Sequence, residues 1–223
     1  MMQKQSLLLI VALFFSAFGM AQTNKPAEDA AYQKMIEGRA WKIVQKLQIK
    51  DTVKAVKVRD LIAEQYSGLN DIYQVRDNKV KEFKNNAMLG KVAMQDSINA
   101  VQLVADAAVT KRHQPYLKKL SRLLKDDQVT AIKDGMTYGV LPLTYGAYMD
   151  MLPQLTGKQK KQIMTWLTEA REKAMDAESS DKKHAWFGKY KGRINNYLSG
   201  DGIDMKKEGE AWQERIKARS ANH

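Results

Sequence analysis

Carboxylate side chains supply the only general acid–base pattern that the sequence offers. Glu169, Glu172 and Asp176 recur at spacings of three and four, so they share one face of a predicted helix. Glycosidases use two carboxyl groups roughly 5–10 Å apart, and helical neighbours can meet that distance. Arg171 and Lys173 interleave with these carboxylates, which is typical of a solvated helix face. The pattern therefore favours an exposed face over a catalytic pair.

Other catalytic and metal-binding patterns are missing from the sequence. It has no Cys, no G-x-S-x-G motif and no glycine-rich phosphate loop, and His113, His184 and His223 lie far apart in the chain. Thiol chemistry and Cys-based metal sites are excluded, and no spacing suits a zinc site. We therefore predict no catalytic residue, no metal and no cofactor. The sequence leaves enzymatic activity open but favours a protein that is not an enzyme.

Gly, Pro and Tyr are concentrated in residues 134–159, whereas the rest of the chain is rich in Lys, Ala and Asp. Thr-Tyr-Gly occurs twice there, with Tyr138 and Tyr145 at the two centres, Pro142 between them and Tyr148 just beyond. Gly and Pro set backbone shape, and tyrosine rings offer flat, half-polar faces. Such a bend is either a structural corner or one wall of a binding site, and we favour the second interpretation.

A second aromatic block occupies residues 184–197. It combines rings with Lys, Arg and Asn side chains, a combination that suits sugars because rings cover C–H faces and planar donors bind hydroxyls. Phe187, Tyr190 and Tyr197 share one predicted helix face and are expected to be core residues. The predicted ligand-binding set from both blocks is Tyr138, Tyr145, Tyr148, His184, Trp186, Lys189, Arg193 and Asn196.

The N-terminus carries an export signature. Lys4 precedes a short apolar run, and small residues at Gly19 and Ala21 precede Gln22, which predicts a signal peptide at residues 1–21. An uncleaved anchor is the alternative, but the run is short for a membrane span of about 20 residues. We expect an exported, periplasmic or extracellular protein without a membrane span after cleavage.

The chain that follows the predicted signal peptide is strongly basic. The whole sequence has a net charge of +12, so without Lys4 it is +11. Export argues against nucleic acid as the partner, which leaves anionic glycans and lipopolysaccharide as candidates. Because the lysines are spread along the chain, they also fit the simpler interpretation of solvated helix faces.

Helical periodicity dominates, and no strand-type alternation is found. We predict an all-α fold of about seven or eight helices, in which a long N-terminal helical hairpin packs on a C-terminal helical bundle. Residues 22–223 are expected to form a single α-helical domain. Predicted helices begin at Pro26, after the Asp51 cap, near Asp96, at Asp126, at Pro142, after the Thr156 capping box, after Ser180 and after Asp204, with Pro115 either kinking the third or opening another.

The two aromatic blocks together also carry a family resemblance. Residues 133–198, which begin KDGMTYGVLPLTYGAYMDMLPQL and end HAWFGKYKGRINNYL, resemble the signature half of a family catalogued as domain of unknown function 3826. That family comprises secreted proteins of Gram-negative, polysaccharide-degrading bacteria. The resemblance implies an exported α-helical domain that binds sugar and is linked with polysaccharide utilisation. It supplies no catalytic residues.

Three functions follow as hypotheses. The first is a non-catalytic carbohydrate-binding or accessory protein of polysaccharide utilisation, with carbohydrate, including anionic glycan, as the partner. The second is a periplasmic chaperone-like or interaction protein, because residues 155–159 are similar to the L-T-x-x-Q motif of small helical envelope chaperones. The third is a uronate-directed lyase or hydrolase.

Overall fold

The computed structural model describes residues 26–221. Within that range the chain forms eight helices and no strand, which confirms the all-α prediction. The helices are α1 Pro26–Gln45, α2 Thr52–Asn85, α3 Lys91–Ser121, α4 Asp126–Met136, α5 Val140–Met151, α6 Gly157–Met175, α7 Ser180–Gly200 and α8 Met205–Ala221. None of these described helices combines the length and the apolar character that a membrane span requires. The predicted signal peptide at residues 1–21 lies outside the described residues.

The chain divides into two compact units between Met35 and Ile36. The described part of the first unit is residues 26–35, the opening half of α1. The second unit contains the end of α1 and the seven helices that follow it, and every contact reported below belongs to this unit. The single domain expected from residue 22 onward stays a prediction.

Side-chain caps explain why several helices begin where the sequence predicts. Asp51 accepts a hydrogen bond from the Lys54 N–H at 3.0 Å and opens α2. Thr156 and Gln159 form the predicted reciprocal capping box, since Thr156 Oγ1 accepts from the Gln159 N–H at 3.3 Å and Gln159 Oε1 accepts from the Thr156 N–H at 2.9 Å. Such caps satisfy amide groups that the first helical turn leaves unpaired.

Three boundary predictions were wrong in detail. Helix α3 begins at Lys91 rather than near Asp96, and α5 begins at Val140 rather than at Pro142. Pro115 lies inside α3, so it does not open another helix. Tertiary packing outweighs the missing proline N–H, because Tyr116 and Leu120 on the next turn are buried. The cap of α7 is the residue before Ser180, since the Ser179 side chain accepts from the Lys182 N–H at 3.2 Å.

Helix packing produces the predicted hairpin on a bundle. Helices α2 and α3 pair along their length as the long hairpin, and α5, α6 and α7 pack together. Helix α4 packs closely against α1 at Gly135. The approach is so close that a Cβ atom at Gly135 would lie 2.9 Å from the Ile43 side chain. The shared apolar core of α5–α7 contains Leu141, Tyr148, Leu152, Leu155, Ile163, Leu167, Ala170, Ala174, Phe187, Ile194 and Leu198. The hairpin meets the bundle at the end of α6, where a cleft opens.

Candidate functional site

An open cleft of about 880 Å³ lies between the hairpin and the bundle. One wall is a single face of α3 and the adjoining part of α2, and the other is the end of α6, the link to α7 and the start of α7. The α3 wall is built from residues three or four apart, from Gln102 to Leu117, which is the spacing of one helix face. Most of the side chains in the cleft are polar or charged.

A cluster of charges forms the floor of this cleft. His113 of α3 lies between Glu172 of α6 and Asp176, the residue that caps the end of α6. Its Nδ1 is 2.5 Å from Asp176 Oδ2 and its Nε2 is 3.5 Å from Glu172 Oε2. Lys133 of α4 donates to both Glu172 oxygens at 2.9 and 3.1 Å. Glu172 and Asp176 can both reach His113 because residues four apart lie one above the other on a helix. The cluster therefore ties three helices together.

Asp176 is buried, with 5% of its surface exposed, and it is fully partnered. Its Oδ1 accepts from Gln65 Nε2 at 3.0 Å, and its backbone oxygen accepts from the Tyr73 hydroxyl at 2.8 Å. Gln65 in turn accepts from Arg112 Nε at 3.0 Å. The bonds from Gln65 and His113 satisfy a carboxylate that burial alone would make costly.

The buried end of α6 has a second cationic partner. Lys183 of α7 donates its ammonium group to the Ala174 and Met175 carbonyls at 3.0 and 2.8 Å. A cation at a helix C-terminus satisfies the last carbonyls and opposes the negative end of the dipole. The position of Asp176 is thus fixed from both sides, by α2 and by α7.

The electrostatics make the cluster a fixed set of charges. Hydrogen bonds to Asp176 and Glu172 raise the pKa of His113 to about 9. Burial by itself would raise the Glu172 pKa, but bonds from His113 and Lys133 outweigh it and hold that pKa at about 2. Burial raises the pKa of the Tyr73 phenol to about 12. At neutral pH His113 is therefore an imidazolium ion between two carboxylates.

This geometry suits binding better than proton transfer. A histidine that acts as a general base must be neutral, with a free ring nitrogen facing the substrate. Both ring nitrogens of His113 already face carboxylates, and the Tyr73 hydroxyl donates to a backbone oxygen. Among the described residues, no group of three or more His, Asp or Glu side chains is arranged to hold a metal ion.

The sequence profile of a family described as "Protein of unknown function (DUF3826)" matches residues 33–218, which is most of the chain. The chain belongs to this family. The family prediction made from the two aromatic blocks is thereby confirmed, and the match spans every residue of the cleft. No curated protein matches the sequence.

Of the ligand-binding residues predicted for this DUF3826 protein, only Trp186 lines the cleft. Lys189 lies over the Trp186 ring, with Nζ 5.3 Å from the ring centroid. Arg193 lies over Trp166, 4.4 Å from its centroid, and Asn196 is exposed farther along α7. The four predicted residues from Trp186 to Asn196 thus follow one flank of α7.

The other predicted residues lie on the opposite flank of α7 or in the core. Tyr138 stacks on His184 with ring centroids 5.9 Å apart. Tyr148 is buried and donates its hydroxyl to Asn195 Oδ1 at 2.6 Å, and Tyr145 packs partly buried against the same core. His184 and Trp186 point about 200° apart because each residue turns an α-helix by 100°. The structure therefore separates the predicted set into two groups on opposite flanks of α7, with Tyr148 buried and Tyr145 half-buried in the core between α5 and its neighbours.

The cluster around His113 is the part of the DUF3826 site that sequence reasoning missed. The interpretation of Glu172 and Asp176 as a solvated face was wrong, because Asp176 is buried and Glu172 bonds His113 and Lys133. Only Glu169 fits that interpretation, since its side chain is 47% exposed. The spacing of four between the two carboxylates was a usable signal. No signal in the sequence links them to His113, which lies 63 residues before Asp176.

Proposed function

We propose that this protein binds carbohydrate and that an acidic glycan occupies the cleft between the hairpin and the bundle. The observation that carries the proposal is the lining of the start of α7. There Trp186 lies in the same cleft as Lys173 and Lys182, and neither lysine has an ion pair among the described residues. A ring and unpaired ammonium groups together suit a sugar that carries a carboxylate.

The size and lining of the cleft support a ligand of oligosaccharide size. Its volume of about 880 Å³ lies within the range of small-molecule sites, roughly 300–1,000 Å³. Gln102, Thr110 and Gln114 add amide and hydroxyl groups along the α3 wall. Such groups both donate and accept hydrogen bonds, as sugar hydroxyls require.

Charge balance favours an acidic ligand over a neutral one. The charges on the cleft floor cancel one another, because His113 and Lys133 are matched by Glu172 and Asp176. Arg76 is likewise matched by the Glu178 carboxylate. The lining charges that have no ion pair within residues 26–221 are Lys173 and Lys182 against Asp106, so the described lining has a net positive charge.

The cellular context is part of the same proposal. The signal-peptide pattern and the family resemblance both suit an exported accessory protein of polysaccharide utilisation. The occupied nitrogens of His113 give no support to acid–base catalysis. The chaperone-like function and the uronate lyase or hydrolase function stay predictions without a specific structural observation in their favour.

Isothermal titration with acidic oligosaccharides tests the proposal. We expect uronic-acid trimers to bind, and Trp186→Ala to weaken binding at least about tenfold, which is about 1.4 kcal/mol. Lys182→Ala should weaken binding at low salt and have less effect at high salt, because salt screens exposed charges. The matched controls are Trp41→Ala and Lys158→Ala, which lie outside the cleft. Equal affinity in wild type and Trp186→Ala, or no binding of any acidic or neutral oligosaccharide, would refute the proposal.

A further inference from the structure

The turn between α4 and α5 holds an aromatic residue in a backbone conformation that side chains rarely adopt. Tyr138 and Gly139 are both left-handed, with φ of 58° and 70°. Gly139 adopts this conformation freely, and its N–H bonds the Asp134 carbonyl at 2.8 Å to end α4. A bulky residue at positive φ is a genuine outlier. Such strain persists where the surrounding structure enforces it, and it points to function.

The Tyr138 side chain contributes little to the fold. It is 54% exposed, and its hydroxyl has no hydrogen-bond partner within residues 26–221. Among the described residues its ring stacks on that of His184, at 5.9 Å between centroids and 13° between planes. His184 is itself exposed on α7. A helix-ending turn needs only a residue that tolerates positive φ, such as Gly or Asn, so the turn geometry does not explain a tyrosine here.

The turn that carries the Tyr138 ring is rigid. Thr137 is fully buried, and its Oγ1 donates to the Lys133 carbonyl at 2.9 Å. The carboxylate of Asp134 accepts from Arg171 at 2.9 Å. The ring is therefore presented by a fixed turn, with one face on His184 and much of its surface open to solvent. A flat surface held in place in this way binds with little loss of conformational entropy.

We propose that Tyr138 and His184 form a second sugar-stacking surface, separate from the cleft, for the same kind of polysaccharide. This proposal takes its ligand class from the proposed function. The surface is independent of the cleft because His184 and Trp186 point about 200° apart around α7. An exposed ring face offers a sugar ring the apolar contact that its C–H surface needs.

Two stacking surfaces on one protein have a measurable consequence. A polymer carries many copies of the same unit, so a second weak surface raises the overall affinity for the polymer without changing the affinity for a short oligosaccharide in the cleft. Loss of the Tyr138 ring should therefore weaken polymer binding while leaving trimer binding unchanged. Loss of Trp186 should weaken both.

Affinity gel electrophoresis on polygalacturonate, with hydroxyethylcellulose as the neutral polymer, tests the second surface. The variants are Tyr138→Asn, which tolerates positive φ, and Tyr138→Phe, which keeps the ring. We expect Tyr138→Asn to reduce retardation by the acidic polymer several-fold and Tyr138→Phe to retain it. Combining Tyr138→Asn with Trp186→Ala should abolish retardation, and Trp41→Ala should leave it unchanged.

The outcomes separate this proposal from the cleft proposal. Unchanged retardation of Tyr138→Asn overturns the second surface, even if Trp186→Ala removes all binding. A loss in Tyr138→Asn with none in Trp186→Ala supports the second surface and overturns the cleft. No retardation of wild type by either polymer overturns both.

Thermal unfolding gives a readout that does not depend on the ligand. We expect Tyr138→Asn to leave the melting temperature unchanged or raised, because the substitution relieves backbone strain. A fall of more than about 4 °C, the size of a real stability loss in a chain of this length, would assign Tyr138 to the fold and overturn the proposal.

Discussion

Loss of the His113 proton should make the stability of this protein fall as the pH rises from 6 to 9. The His113 pKa is raised from 6.5 to about 9, because hydrogen bonds to Asp176 and Glu172 favour the imidazolium form. The folded state therefore holds the proton more tightly than the unfolded chain. Stabilisation is complete below pH 6.5, and it is lost as pH rises through 9.

The size of the effect follows from the same values. A pKa rise from 6.5 to about 9 corresponds to at most about 3 kcal/mol, at about 1.4 kcal/mol for each pKa unit. The His113 side chain is 15% exposed and borders an open cleft, so solvent screening reduces this value. We expect the free energy of unfolding to fall by about 2 kcal/mol between pH 6 and pH 9.

Two neighbouring groups, Lys183 and Tyr73, also change the stability with pH, and their contributions must be separated from that of His113. Burial lowers the Lys183 pKa to about 8, so the cost of its buried charge is relieved as pH rises from 8 and stability increases there, opposite to the His113 effect. The Tyr73 pKa of about 12 contributes only above pH 10. Both contributions cancel in the difference in unfolding free energy between wild type and a His113→Gln variant, because the substitution leaves Lys183 and Tyr73 in place.

Urea unfolding at pH 6, 7, 8 and 9 measures the effect. His113→Gln keeps an amide donor for Asp176 but does not titrate, so its stability should lack the fall seen in wild type. His184→Gln is the matched control, because His184 is exposed, stacks on Tyr138 and lies outside the charge cluster. If the unfolding free energies of wild type and His113→Gln change in parallel with pH, the charge cluster does not favour the protonated form of His113.

Two further substitutions test how the hairpin and α8 are attached. Gly68→Ala should cost up to about 2 kcal/mol in urea unfolding. Its Cβ would lie 2.0 Å from Arg112 Cζ and displace this flexible guanidinium from Gln65, a loss of about 1–3 kcal/mol, while the better helix propensity of Ala inside α2 offsets about 1 kcal/mol. Gly188→Ala should be neutral or stabilising by up to about 1 kcal/mol, because among residues 26–221 its Cβ would meet no atom within 4 Å beyond its own stretch of helix. An equal loss of stability in Gly188→Ala would contradict the role of the Arg112 clash. Asp150→Asn should loosen α8, which has no buried residue and is held by Trp212 and Arg219 on that carboxylate. Limited proteolysis within 205–221 should then accelerate, and identical cleavage rates would place the attachment elsewhere.

Much of the fold was predictable because its signals are local. The Asp51 cap and the Thr156–Gln159 capping box each depend on residues three apart, and both are present. The first Thr-Tyr-Gly is indeed a backbone feature, a left-handed turn between α4 and α5. The second lies inside α5. The repeat in sequence is therefore not a repeat in structure, because the second copy follows a helix start at Val140.

The candidate site was less predictable because its members are far apart in the chain. Both aromatic blocks were identified, yet α7 directs His184 and Trp186 to opposite flanks. A helical pattern gives these relative directions but not which neighbouring helix covers each flank. Tyr148 shows the consequence, since its ring was expected in a binding wall and is buried in the core instead.

The sequence by itself determined the helical class, most helix starts and the family, because caps, periodicity and family motifs are carried by nearby residues. Tertiary structure alone decided which charges meet. The Asp176 carboxylate is hydrogen-bonded to Gln65 of α2 and to His113 of α3. Only the packing of the hairpin on α6 brings these groups within hydrogen-bonding distance. Hydrogen bonds then hold His113 protonated and Glu172 ionised against the effect of burial. A row of carboxylates that looks solvated in sequence thus becomes the floor of a cleft.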